Sequence, residues 1–227
     1  MAYVVMTAFL VVAGLSFCRP LSRHLGGQIG IGELLFGAPY FWITVLAAIA
    51  FITMPLFAEE RRTGTLEMLL TAPVTDLQVV LGKYAGALLL FLLTTLPTIA
   101  YFIMLKAVAG GMTSMAWTPI FTGYLVLWLI GGCFIAIGMF ISALTHSQVV
   151  AAVGCFMAIS ILFFLDTLRL VLPGDAMQAT LAYLSSTRHV QDFAQGIVDT
   201  RPIVLYLSLA VFFIFATVKV IEARQWK

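Results

Sequence analysis

Six apolar runs, each close to the length of a bilayer-spanning helix, leave this chain few folds to choose from. They cover residues 2–18, 39–58, 79–105, 119–144, 148–165 and 202–221, the first being barely long enough. A hydrocarbon core takes about 20 apolar residues in helical form. Within it every backbone N–H and C=O must be satisfied by the segment itself, which favours helices. The expected fold is all-α and integral to a membrane. It is one domain over residues 1–227, with six transmembrane helices and both termini on the same side. Composition agrees, since only 10% of residues are charged against roughly 25% in a soluble domain. The start is apolar from Ala2 to Phe17 with no basic residue ahead of it, which reads as a first span and not as a cleaved leader.

Between the second and third runs lies the stretch Glu59 to Lys83, EERRTGTLEMLLTAPVTDLQVVLGK. Glu59, Glu60, Arg61 and Arg62 are expected to end the second span, because four consecutive ionisable side chains do not stay in hydrocarbon. Gly64 is placed as an N-cap, with Glu67 three residues on, where a carboxylate suits the helix dipole. Leu66, Met68, Leu69 and Leu70 then give a short, heavily apolar helix. Pro73 stops it, since proline disfavours a helical residue before it. Thr75 and Gln78 form a capping box for the next helix, which runs on into the third span. A helix anchored on lipid spreads Lys and Arg along its polar face. This one carries only Glu67, so a soluble partner with an apolar groove suits it better than membrane lipid does.

The spans hold no Asp, Glu, Lys or Arg away from their ends, whereas proton- or ion-coupled carriers keep such groups at mid-membrane. That favours external power and an apolar or amphipathic substrate. Phe41, Trp42, Phe91, Trp128, Phe134 and Phe140 would line an apolar path or face lipid. Gly82 with Gly86, and Gly132 with Ala136, have the small-residue spacing that lets membrane helices approach, either within one subunit or at a dimer seam. Pro97 is expected to kink the third span. The other polar region, 166–201, has a turn at Pro173-Gly174-Asp175 and then apolar periodicity through Leu181, Leu184, His189, Phe193 and Ile197. One or two short helices at the membrane surface fit it. Asp166 and Arg169 are spaced to pair.

Several chemistries lack their residues. There is no GxxxxGK[ST] phosphate loop, so the chain is not expected to hydrolyse ATP by itself. Ser142, Ser147 and His146 cluster near one interface, but no acid or oxyanion signature accompanies them and no catalytic residue is assigned. His24, His146 and His189 are scattered, and Cys18, Cys133 and Cys155 have no metal spacing, so no metal site is expected. A net charge of +2 with no basic run gives no footprint for nucleic acid. Lys and Arg fall equally on the two sides of the six-span scheme. Arg61, Arg62, Lys83, Lys219, Arg224 and Lys227 oppose Arg19, Arg23, Lys106, Arg169, Arg188 and Arg201, so charge alone does not orient it.

The string Glu59 to Glu67, then Leu69-Leu70-Thr71-Ala72-Pro73-Val74 and Leu81-Gly82-Lys83, resembles the ABC-2-type transporter permeases. Within these it looks most like the gliding-motility and nitrous-oxide-reductase-accessory permeases. A second match, Leu184-Ser185, His189, Phe193, Gly196, Asp199, Tyr206-Leu207-Ser208, Glu222, Arg224 and Trp226, resembles that family's final external loop, last span and charged tail. The resemblance implies a homodimeric six-helix permease of the bacterial cytoplasmic (inner) membrane, with both termini cytoplasmic. It would bind two copies of an ATP-binding subunit, which holds the ATP and Mg; the permease itself would hold no cofactor. Segment 59–78 would be the cytoplasmic coupling segment, with Glu59, Glu60, Gly64, Thr65, Glu67, Leu70 and Pro73 as coupling positions. His189, Phe193 and Asp199, in short extracytoplasmic helices between the fifth and sixth spans, would meet an accessory protein. The mechanism implied is ATP-driven export by alternating access. Related permeases begin with an amphipathic elbow helix, which this sequence is expected to lack or to carry in shortened form. The other reading of the same surface is a membrane scaffold that recruits a cytoplasmic machine without transport.

Overall fold

A computed structural model describes residues 2–23, 35–64, 75–108, 117–165 and 184–225. Their regular structure is helical throughout: α1 (Ala2–Arg23), α2 (Pro39–Thr53), α3 (Pro55–Thr63), α4 (Asp76–Thr95), α5 (Ile99–Val108), α6 (Thr118–Leu144), α7 (Gln148–Phe163), α8 (Ser186–Ala194) and α9 (Thr200–Gln225). Four stretches are long and apolar enough to cross a membrane: Pro39–Thr63, Asp76–Met104, Thr118–Leu144 and Thr200–Ala223. The first and fifth expected runs form shorter apolar helices, Tyr3–Phe17 and Gln148–Phe163. The helix expected around Glu67 and Leu70, with Thr65 and Pro73, lies outside the described residues, as does the pair Asp166 and Arg169.

Two prolines interrupt otherwise continuous helices, because proline lacks an N–H and its ring crowds the carbonyl four residues back. Pro97 sits in a single 3-10 turn, Leu96–Thr98, between α4 and α5, where the sequence places a kink. Pro55 is the first residue of α3 and separates it from α2 at Met54. Sequence reading missed this second break, although a proline inside a predicted span was its signal.

The chain divides into two compact units. Unit 1 comprises Met1–Val45, Leu93–Trp128 and Ser160–Pro202, and rings fill its core. Phe36 packs edge-on to Phe41 and to Tyr124, with centroids 6.0 and 5.3 Å apart, and Trp42 stacks on Phe163 at 4.8 Å. The polar atoms of these rings are satisfied locally. Trp42 Nε1 donates to the Phe36 carbonyl at 2.7 Å, and Tyr101 Oη to the Leu10 carbonyl at 2.7 Å. The hydroxyls of Thr98 and Tyr124 lie 2.6 Å apart beside the 3-10 turn. Phe41 and Trp42 are buried, which removes them from the lipid-facing alternative.

Helix α8 is the amphipathic helix expected in the late loop. Ser185 caps it, accepting from the Arg188 N–H; Val190, Phe193 and Ala194 are buried, while Gln191 and Asp192 are exposed. Two of the three residues expected to meet an accessory protein have partners within the chain. Phe193 is fully buried, its carbonyl accepting from Thr122 Oγ1, and Asp199 accepts from the Arg201 N–H at 3.1 Å as a cap for α9. His189 is half-buried.

Unit 2 comprises Leu46–Leu92, Leu129–Ile159 and Ile203–Lys227. One cluster of its core joins Phe57, Val80, Met139, Ala143, Val218 and Ile221. Phe91 and Phe134 are also buried. Gly131, where a Cβ would stand 2.2 Å from Phe91 Cε1, is one close approach, and Gly138 is another, where it would stand 2.5 Å from Thr53 Oγ1 and 2.7 Å from Cys155 Sγ. No side chain fits there, so glycine is required by space.

Candidate functional site

The charged residues of the insert begin on α3, whose first turn has no N-cap side chain of its own. A serine from a different helix takes that role. Ser142 Oγ accepts from the N–H of Phe57 at 3.2 Å and of Ala58 at 3.1 Å, and it donates to the Met54 carbonyl at 3.1 Å. In an unbroken helix the Met54 carbonyl would take the Ala58 N–H directly; here a buried hydroxyl stands between them, a recognised cause of helix breaks. The first-turn N–H groups that a helix leaves unpartnered are thereby satisfied.

Two cations fix the rest of α3. Arg61 Nη1 donates to the carbonyls of Ala143 and Thr145, at 2.9 and 3.2 Å, and Nη2 lies 2.7 Å from His146 Nε2. A guanidinium only donates, so Nε2 is the acceptor in this contact. The carbonyls that end α6 are among those without an intrahelical partner, and a cation there also suits the helix dipole. From α4, Lys83 Nζ donates to the Leu56 carbonyl at 2.6 Å and to Glu60 Oε1 at 2.5 Å. It also lies 4.7 Å from the centroid of the Phe57 ring, within cation–π range. The side chains of Lys83 and Glu60 are 18% and 28% exposed, so the pair is shielded more than a surface ion pair would be.

The charged quartet forms the last turn of α3, which runs through Glu59, Glu60, Arg61 and Arg62 and ends at Thr63. Lys83 matches Glu60, backbone carbonyls match Arg61, and Glu59 and Arg62 are exposed without a side-chain partner among the described residues. Gly64 closes α3 at its C-terminal end, with φ +74°; the helix it was expected to begin lies outside the described residues. That left-handed backbone costs glycine nothing and other residues about a kcal/mol or more. On the far side of 65–74, the capping box forms as the sequence requires. Gln78 N donates to Thr75 Oγ1 at 3.4 Å, and Thr75 N to Gln78 Oε1 at 3.1 Å.

The small-residue pairs divide. Gly132 and Ala136 are buried, with Tyr84 Oη donating to the Gly132 carbonyl at 3.2 Å. Gly82 and Gly86 are exposed, and a Cβ on either would meet nothing within 4 Å among the described residues. Among those residues, packing within the subunit involves the first pair and not the second. Gly138, which does need its missing side chain, carried no distinguishing mark in the sequence.

A match to known families accompanies this geometry. The family model described as "ABC-2 family transporter protein" matches residues 38–223, which include both helices flanking the insert. The chain belongs to the ABC-2 transporter family. No curated protein sequence matches it. It is accordingly the permease component of an ABC transporter, a multi-pass membrane protein of the kind that works with an ATP-binding subunit and is typically non-catalytic itself. Within this ABC-2 permease, Ser142 and His146 are taken up by the helix junction just described. Cys133 and Cys155 are buried free thiols.

Proposed function

We propose that this ABC-2 permease couples ATP hydrolysis in a separate ATP-binding subunit to alternating access, exporting an apolar or amphipathic substrate. One observation carries the reading: the two stems of segment 65–74 are braced. The incoming stem, α3, is held by Ser142, by Lys83 and through its own Arg61; the outgoing stem, α4, starts with a reciprocal capping box. A segment that receives a push from a soluble motor needs stems that pass it on. Glu59 and Arg62 at the exposed end of the first stem, and Thr65, Glu67, Leu70 and Pro73 beyond it, are the proposed contacts with the motor.

In the full reading the permease has six spans, lies in a bacterial inner membrane and keeps both termini in the cytoplasm. It pairs with a second copy and binds two ATP-binding subunits, which hold ATP and Mg. The exposed face with Gly82 and Gly86 is the proposed dimer seam. An accessory protein on the outer side would meet the exposed residues of α8 beside His189 and not Phe193. The resemblance to the gliding-motility and nitrous-oxide-reductase-accessory permeases supports these details. The test is to express the chain with its ATP-binding subunit and purify by a tag on the permease, while labelling Thr71→Cys with an impermeant thiol reagent. Co-purification with ATPase activity, and labelling only from the cytoplasm, is expected. No association, or labelling of intact cells, overturns the assignment.

A further inference from the structure

Resting on that reading, we propose that Ser142 and Arg61 are positioning residues that deliver displacement of the insert to the C-terminal end of α6, so that α3 and the last turn of α6 move as one piece. The backbone ladder that would tie α3 to α2 is interrupted at Met54 and Pro55. Ser142, fully buried, bonds on both sides of that interruption, to the Met54 carbonyl before it and the Phe57 and Ala58 N–H groups after it. Arg61 then grips the same end of α6 through the Ala143 and Thr145 carbonyls. These contacts all fall within residues 142–145, so α3 is bonded to the C-terminal end of α6 and the residue after it, both at its own start and near its own end. Lys83 attaches the second stem to α3 through Leu56 and Glu60, so a push on either stem reaches the same end of α6. Discrete hydrogen-bonded contacts between rigid helices are the physical means by which such coupling is carried.

The experiment places spin labels at Thr63→Cys and Leu144→Cys, both exposed positions, in a Cys18→Ser background. The permease is assembled with its ATP-binding subunit in lipid nanodiscs. The expected result is one narrow distance, unchanged between the nucleotide-free and vanadate-trapped states. Arg61→Gln or Ser142→Ala should broaden it roughly twofold and make it respond to trapping, while Ser142→Thr, which keeps the hydroxyl, restores the narrow distance. A wild-type distance that shifts on trapping overturns the proposal. So does an unchanged distribution in Arg61→Gln, a variant that leaves the buried serine in place should Ser142→Ala not fold. If the ATP-binding subunit does not associate, the coupling function fails on that ground, and the joint is judged in the permease alone. Broadening by Arg61→Gln then supports it, and an unchanged width overturns it.

Discussion

Unit 1 fills its interior with rings, Phe36 against Phe41, Phe102 and Tyr124, whereas unit 2 adds to its apolar cluster a junction held by single polar atoms, Ser142 Oγ, the Arg61 guanidinium and Lys83 Nζ. Ring packing spreads its attraction over many weak contacts, so no single atom decides the arrangement. A hydrogen-bonded junction concentrates the same task in a few atoms whose partners would be left unsatisfied if one were removed. The first is suited to holding a shape. The second is suited to passing on a movement, because it specifies which helix turn is attached to which.

The largest expected effect tests the ring core. Phe36→Ala should lower stability by about 3 kcal/mol through the cavity it leaves, read by denaturant unfolding in mixed micelles. A loss below about 1 kcal/mol would mean the rings of unit 1 are replaceable. Next comes the ion pair of unit 2. Lys83→Met strands a shielded carboxylate and should cost about 2 kcal/mol, with most of it recovered when Glu60→Met is added. A double variant no better than the single would show that Lys83 acts through the Leu56 carbonyl and the Phe57 ring instead.

Glycines sharpen the contrast within unit 2. Gly138→Ala forces Thr53 and Cys155 apart and should cost about 2 kcal/mol. Gly86→Ala meets no described neighbour within the subunit and should change the stability of the single subunit by at most about 1 kcal/mol, in the stabilising direction. Equal costs at the two sites would contradict the assignment of one to packing within the subunit and the other to a face left for a second copy. The smallest effects on stability belong to Glu59→Gln and Arg62→Gln, within about 0.5 kcal/mol. Both should nevertheless weaken retention of the ATP-binding subunit on a permease affinity column. Full retention by both would remove the exposed end of α3 from the interface.

What could be read from the sequence was local. The apolar runs marked the helices, Pro97 its break, and Thr75 with Gln78 a capping box whose two hydrogen bonds both form. Each depends on residues within a few positions of one another. The junction was not legible, because Ser142 and Ala58 are 84 residues apart and a serine near the end of an apolar run carries no sign of whose N–H groups it will meet. Arg61 was legible as a charge but not as a cap, since the carbonyls it holds belong to another helix. How the quartet Glu59 to Arg62 is matched was hidden for the same reason: its partners, Lys83 and the end of α6, come from elsewhere in the chain. Gly82 and Gly138 are the same residue type in similar apolar surroundings, and only the neighbours that packing brings to them tell them apart.

The central claim is that the insert between α3 and α4 is the seat of an ATP-binding subunit. Its most direct test is ATP hydrolysis by the co-purified complex, comparing wild type with the double substitution Glu67→Lys and Leu70→Lys. The account predicts that the double variant remains folded and monodisperse, as judged by gel filtration, but loses the ATP-binding subunit and the hydrolysis that comes with it. A double variant that keeps both at wild-type levels would contradict it.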